Sequence, residues 1–309
     1  MGKFQGMKNI LFPITARPHM ARQQLLIGEL RKHFKVVIVE HQNYYRDILN
    51  IIADYANWFR IELKTRLDMD MVLIRGDRFE MLPLAMMTAY KRIPIIHIEG
   101  GELSGAIDNK VRHAITQLSE LHFAISEEGQ KRIIGMGISP RKVFNFGSLD
   151  VEYAKNVKIE PYLGKPYIVV VFHPIRGESP QEIDRGLEFY QGDIVRIKSN
   201  KDEGVQYGEE EYTAEQYINL LANASCLVGN SSSFLKEASI FGTPVVNLGS
   251  RQQNRLKPHN VLDVPHVEAE FIEIAIEYQL KKIRYQPDEI YYQPETSKKI
   301  TEKICEIIK

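Results

Sequence analysis

The chain is expected to fold as an α/β protein built from two doubly wound parallel sheets. Three observations lead there. Apolar runs of strand length alternate with amphipathic stretches of helix length along the 309 residues. Some of these runs, such as Ile95-Ile96 and residues 168–172, are apolar throughout, as strands buried on both faces must be. The alternation also breaks at a polar stretch, residues 155–165, which holds Pro161 and Gly164 and has Pro166 just beyond it, and then begins again. A chain of this length suits two domains at about 100–200 residues each.

The elements follow in order. Residues 9–14 read as a strand. Residues 21–33 read as a helix, with Leu25, Leu26, Leu30 and His33 near helical spacing. Strands are expected over 35–40, 71–74, 93–98, 122–125 and 143–146, with helices over 80–91, 111–121 and 127–136. Beyond the polar break come strand 167–172, helix 180–190, strand 193–197, helix 214–222, strand 226–229, helix 232–241 and strand 244–248. The tail, 296–308, is amphipathic and reads as a helix that could pack back onto the first half. The expected domains are therefore 1–157, joined by 296–309, and 158–295. Residues 41–70, 147–154 and 249–295 carry no assignment.

Composition bounds the function. With 40 Lys and Arg against 40 Asp and Glu there is no global field to draw in nucleic acid or a membrane surface, so an anionic ligand must be held by local groups. Cys226 and Cys305 are the only cysteines, too few for a disulfide framework or a metal cluster, and read as reduced thiols. No stretch approaches the roughly 18 apolar residues of a membrane span, and residues 1–8 lack a signal-peptide core. A soluble, cytoplasmic protein is expected. The histidines are scattered, with no H-x-x-x-H, so neither a metal nor a cofactor is expected. No P-loop, G-x-G-x-x-G or G-x-S-x-G occurs, which counts against a P-loop NTPase, a dehydrogenase and an α/β-hydrolase.

Polar residues gather directly after the apolar strands, where a doubly wound fold places its ligands. They are Arg17, then Arg75-Gly76-Asp77-Arg78, then His97-Ile98-Glu99-Gly100-Gly101-Glu102, and in the second half His173-Pro174 and Gly229-Asn230-Ser231-Ser232-Ser233. The last turn offers backbone N–H groups, three hydroxyls and a helix N-terminus at one spot, which suits a phosphate. Asp108, Arg112 and His113 open another helix. Each has a plainer reading: Asp77 and Asp108 as helix caps, His97 as a hydrogen-bonded core histidine. Glu99 is harder to explain that way, because a carboxylate at the end of a buried strand needs a partner or a purpose.

Taken together these blocks resemble the UDP-N-acetylglucosamine 2-epimerase family, and more closely its hydrolysing branch, which begins sialic-acid-type sugar synthesis. The resemblance rests on Arg17-Pro18, Gly76-Asp77-Arg78-Phe79, the run from His97 through Gly105, Ile107-Asp108, Arg112-His113-Ala114-Ile115-Thr116, Phe172-His173-Pro174, Asn200-Lys201-Asp202, the serine turn with Lys236-Glu237-Ala238, and the run from Gly242 to Gln252. It implies a GT-B fold, two Rossmann-like domains around a cleft, with uracil and diphosphate mainly on the second and the sugar facing the first. It implies loss of UDP from C1 and of the C2 proton to give a glycal, then addition of water to give free N-acetylmannosamine. Asp77 and Glu99 match acidic positions suited to acid–base work, Asp108 one suited to sugar binding or proton relay, and His173 and Arg17 are candidates near the phosphates. Ser231, Ser232 and Ser233 would hold the diphosphate and Glu237 the ribose hydroxyls. Arg75, His97, Arg112, His113 and Arg251 join the expected substrate-binding set, with Arg255 a weaker candidate. A UDP-sugar is the implied ligand and a homo-oligomer the implied assembly. A reversible epimerase, a glycosyltransferase of the same fold and a non-catalytic sugar-nucleotide binder are the alternatives. Two departures stand out: Arg75 occupies a position where the family often has His, replacing a titratable group with a permanent charge, and Asn109 stands where a second Asp is frequent. The stretches 40–70 and 176–193 are shorter than typical.

Overall fold

The computed structural model describes residues 7–14, 17–40, 48–65, 68–105, 107–162, 164–175, 178–199 and 207–307, with the side chains of residues 17–19 and 48 outside that description. The Arg17 side chain, the Asn200-Lys201-Asp202 block and most of the N-terminal stretch read for a signal peptide therefore lie outside the described residues. The chain divides into two compact units. The first comprises Met1–Glu102, Ile107–Tyr153 and Tyr291–Lys309; the second comprises Leu103–Ala106 and Ala154–Ile290.

The first unit runs β1 (Asn9–Ile14), α1 (Arg17–Leu30), β2 (Lys35–Glu40), α2 (Ile48–Thr65), β3 (Met71–Arg75), α3 (Met81–Tyr90), β4 (Ile95–Ile98), α4 (Asp108–Gln117), β5 (Leu121–Ala124), α5 (Glu127–Gly135), β6 (Val143–Asn145) and α6 (Leu149–Asn156). Its six strands are parallel, in the order β2-β1-β3-β4-β5-β6. The winding reverses between β1 and β3, so the carboxyl ends of those two strands diverge and leave the crevice where doubly wound sheets bind ligands.

Each face of this sheet is covered by helices. Ile10, Phe12, Leu73 and Ile96 pack with Leu26 and Leu30 of α1. Their alternate neighbours Leu11, Val72, Ile74 and Ile95 pack on the other face with Tyr55, Phe59 and Leu63 of α2, as the two-residue period of a strand requires. Helix α2 occupies a stretch left unassigned from sequence, although Tyr55, Phe59 and Leu63 stand four apart and make a helical stripe.

The second unit runs β7 (Tyr167–Val171), α7 (Pro180–Gly186), β8 (Asp193–Arg196), α8 (Ala214–Asn223), β9 (Cys226–Gly229), α9 (Ser232–Lys236), β10 (Val245–Leu248), β11 (Val261–Val264) and α10 (Ala269–Leu280). Its five parallel strands lie in the order β11-β10-β9-β7-β8. This is the same winding as β1 to β5 of the first unit, and it reverses between β7 and β9. The last helix, α11 (Thr296–Ile307), belongs to the first unit. There Ile300 and Ile304 enter the core beside Ile10 and Leu26, and Ser297 donates its backbone N–H and hydroxyl to the Glu152 carboxylate.

Four helices differ from the sequence expectation, among them the one expected over 180–190, which ends at Gly186. The one expected over 21–33 starts at Arg17, and the one expected over 111–121 spans Asp108–Gln117, so that Leu121 opens β5. The helix expected over 232–241 is broken: α9 has five residues and a 3₁₀ turn, Ala238–Phe241, follows it. Elements α6, β11 and α10 also arise in stretches without an assignment. Among the described residues no helix is long and apolar enough to cross a membrane.

Gly229 ends β9 with φ of 139°, and a Cβ there would lie 2.0 Å from the Val171 carbonyl oxygen. A Gly229→Ala variant should therefore lose at least about 2 kcal/mol of stability, through strained backbone and a contact that neither strand can relieve. Denaturant unfolding checks this, and a midpoint equal to the parent's would contradict it.

Candidate functional site

In the first unit the expected residues are organised by two arginines. Strand β3 ends at Arg75. Its Nε and Nη2 both donate to Oε1 of Glu99, at 2.9 and 2.5 Å, and Nη2 also lies 2.7 Å from Oδ1 of Asp150 on α6. Burial works against the guanidinium's charge, but Asp150 and then Glu99 outweigh it and push its pKa up. Glu99 follows β4 directly and has φ of 67°. That left-handed conformation is uncommon for a residue with a side chain, and it costs energy that the surroundings must supply. Here the Glu99 N–H is tied to the Phe123 carbonyl at the end of β5 and the carboxylate to Arg75.

The second organiser is Arg112 on α4. It is almost fully buried and donates to the carboxylate of Asp77, to the Glu102 carbonyl at 2.7 Å and to Oδ1 of Asn109 at 2.8 Å. Arg112 was expected to bind substrate. Its described contacts hold Asp77, the β4–α4 connection and the first turn of α4 in one arrangement. Asp77 does not cap α3, whose N-cap is Glu80, and Asp108 is the first residue of α4 rather than its cap. Asp77 and Asp108 are both half-buried. His113, one turn into α4, has its pKa lowered by burial and by the nearby Arg112 and Arg132 charges.

His97 was also expected to bind substrate. Its ring is fully buried, with Nε2 2.9 Å from the Gly76 carbonyl and Nδ1 3.1 Å from the Thr116 hydroxyl. Since a carbonyl only accepts, Nε2 carries the proton. Burial lowers the ring's pKa to about 4, so it is neutral near pH 7. It props up the turn that presents Asp77, and it crowds position 100, where a Cβ would fall 3.0 Å from Nδ1.

In the second unit the site gathers at the β7–β9 reversal. Asn230, fully buried, accepts the His173 N–H at 2.7 Å and donates to the His173 carbonyl at 2.9 Å, clamping the ends of the two strands together. Its own carbonyl accepts from Arg251 at 3.1 Å and Gln252 at 2.8 Å. Ser231 and Ser233 share a hydrogen bond of 2.8 Å, and Ser233 also meets the Tyr217 hydroxyl. Ser233 is thus buried behind Ser231, while Ser232 is half-buried. Glu237 is fully buried between α9 and the 3₁₀ turn, and Arg255 is half-buried. Because α9 is short, its dipole contributes less than expected, and the turn's own N–H groups and hydroxyls carry the capacity to hold an anion. Asp150, Asn230 and Tyr217 were not singled out from sequence. Asp150 and Tyr217 meet their partners only through the fold, whereas Asn230 lay inside the serine-turn block.

The sequence matches the family described as UDP-N-acetylglucosamine 2-epimerase over residues 23–204 and 205–305, and the chain belongs to that family. Among relatives, the GDP/UDP-N,N'-diacetylbacillosamine 2-epimerase (hydrolyzing) of Campylobacter jejuni is 33% identical over 229 residues, covering 63% of this chain and 60% of that protein. The match thus spans about three-fifths of the relative's length. Among solved structures, the S. aureus MnaA-UDP complex superposes with a TM-score of 0.81 at 15% identity, covering 98% of this chain and 97% of its own. The Neisseria meningitidis UDP-GlcNAc 2-epimerase bound to UDP-GlcNAc gives 0.77 at 18%, covering 96% and 100%. The fold is that of GT-B proteins.

The buried imidazoles make stability depend on pH. His97 and His122 face each other in register on β4 and β5, and burial lowers their pKa values to about 4 and about 3. Below the unfolded histidine value of about 6.5 the unfolded chain takes up protons that the folded one refuses, so stability is full above that pH and falls as pH drops towards 4. Fully expressed, the shifts correspond to about 3 kcal/mol for His97 and about 5 kcal/mol for His122. Unfolding titrations between pH 7 and 4.5 should show the decline, and NMR should show neither ring titrating in that window; a ring protonating near pH 6.5 in the folded protein would refute the assignment.

Proposed function

We propose that this protein is a hydrolysing UDP-N-acetylhexosamine 2-epimerase. The observation that carries the reading is the Glu99 carboxylate, held at the end of β4 in a left-handed conformation by Arg75, with Asp77 fixed nearby in sequence and topology by Arg112. Backbone strain of this kind persists where surrounding structure enforces it, and functional sites are where it collects. Membership of the family and the hydrolysing relative support the reading from a second direction.

In the reaction proposed, a carboxylate takes the C2 proton of the sugar, the C2–H electron pair becomes the C1=C2 double bond of a glycal, and the C1–O pair leaves with UDP. Water then adds through oxygen at C1 while C2 receives a proton from the opposite face, giving the free 2-epimer. The first unit supplies the acid–base groups, Asp77 and Glu99, with Asp108 towards the sugar. The second takes the nucleotide: the turn at Ser231 and Ser232 with His173 for the diphosphate, and Glu237 for the ribose. Holding the departing diphosphate's charge is where such a turn lowers the barrier. No cofactor or metal enters these steps.

The test is product identification by NMR in heavy water with UDP-N-acetylglucosamine and UDP-N,N'-diacetylbacillosamine as substrates. Expected are UDP and a free 2-epimerised sugar carrying deuterium at C2. UDP-N-acetylmannosamine as sole product would select the reversible epimerase, and UDP binding without turnover a sugar-nucleotide binder. Glu99→Gln should cut turnover by at least roughly 10²-fold while leaving UDP affinity nearly intact. A near-normal rate would remove Glu99 from the mechanism.

A further inference from the structure

The geometry points to Arg75 as the positioning residue that fixes the ionisation of Glu99: in a charged quartet with Asp150 and Arg22, it keeps Glu99 a carboxylate throughout the neutral range, so that Glu99 enters the reaction as an anion and never as the proton donor. The inference deepens the proposed function and rests on it.

The quartet spans four elements. Arg75 ends β3, Glu99 follows β4, Asp150 lies in the first turn of α6, and Arg22 of α1 stands 3.9 Å from Asp150. The side chains of Arg75, Asp150 and Glu99 are 7, 8 and 15% exposed, so water screens them little. Two guanidinium groups stand beside two carboxylates. Protonating Glu99 would take one negative charge from beside Arg75 and would leave Oε1 only a neutral, weaker acceptor for the two N–H groups of Arg75 that share it. A charge-assisted pair of this kind favours the ionised form. His97 on β4 is a further titratable neighbour, and its buried ring is neutral near pH 7, so it adds no charge beside Glu99.

Arginine suits this task in a way that a titratable residue would not. Its charge persists at every pH the protein meets, and its planar fork makes two bonds to one carboxylate while reaching a second. The fork also fixes direction. With the Glu99 N–H tied to β5, the carboxylate is aimed back towards β3 by its bonds to Nε and Nη2. Charge and aim are therefore set by one side chain.

The experiment reads the protonation of Glu99 directly. Infrared difference spectra between the wild type and Glu99→Gln report the carboxylic-acid C=O band as pH falls, and the same comparison is made in Arg75→Met and Arg75→Lys backgrounds. Expected is no Glu99 acid band in the wild type down to about pH 5. In Arg75→Met the proton affinity of Glu99 rises by about tenfold or more, and in Arg75→Lys it stays near that of the wild type. The acid limb of kcat/KM should move to higher pH in step with the band, with KM for the sugar nucleotide changing far less than kcat. A protonated Glu99 in the wild type at pH 7, or a band that Arg75→Met leaves in place, overturns the proposal. A purely structural Arg75 would lower thermal stability without moving the band. If Arg75→Met fails to fold, Asp150→Asn serves: it withdraws the competing anion, so the Glu99 band should stay absent to pH values at least as low as in the wild type, and its appearance nearer neutrality overturns the proposal. The infrared reading needs no turnover, so failure of every sugar nucleotide to react would refute the proposed function and leave this measurement standing.

Discussion

The constraint on which the structure turns is that an unpaired polar group is costly along a parallel strand covered on both faces. The strands of both sheets are mostly apolar where helices cover them; the His97 ring bonds to Gly76 and Thr116, Asn247 on β10 donates to Asp263 on β11, and the buried His122 ring on β5, whose nitrogens meet no hydrogen-bond partner among the described residues, is held neutral. Polar side chains are admitted where a strand leaves the sheet, and most freely where the winding reverses and neighbouring ends diverge. Arg75 and His173 stand at such ends. The site is therefore a by-product of how the sheet is closed, and its chemistry was filled in where the fold tolerated it.

The two units meet this constraint differently. At the β1–β3 reversal and the adjoining end of β4 the groups are charged, and each charge has its counter-ion within the same unit: Arg75 with Glu99 and Asp150, Arg112 with Asp77. At the β7–β9 reversal the work is done by neutral groups, with an asparagine clamping two strand ends and a row of hydroxyls from Tyr217 through Ser233 to Ser231. Half-buried charges are costly unless paired, so the first arrangement is rigid and suits groups that must keep a defined protonation state. A neutral turn rich in donors suits an incoming anion, because it carries no negative charge of its own at the point of contact.

Most of this was legible in the sequence, for reasons that differ by residue. Strands β1, β2 and β9 were placed to the residue, since their apolar runs are bounded by polar or glycine neighbours. Helix α2 carries no assignment from the sequence, although it follows the strand expected over 35–40 and its Tyr55, Phe59 and Leu63 stripe is helical. The break at Glu237 could not be read, since Ser232 to Phe241 keeps a helical pattern and the change to a 3₁₀ turn depends on tertiary packing. The candidate residues could be proposed from sequence because strand ends are local features. Their partners could not: Asp150 lies far along the chain from Arg75, and nothing in its neighbours marks it. The partners of His97 and Arg112 were hidden for the same reason, since only the fold brings Gly76, Thr116 and Asp77 to them.

The division of the chain has a temporal consequence. The first unit opens the sequence, yet α11, which lines its core with Ile300 and Ile304, follows all of the second unit along the chain. During synthesis from the N-terminus, the six-stranded sheet must wait with the apolar groove beside α1 uncovered, while the later-made five-stranded unit can complete itself. The half that begins first finishes second, and α11 is the cover whose arrival ends that exposed interval.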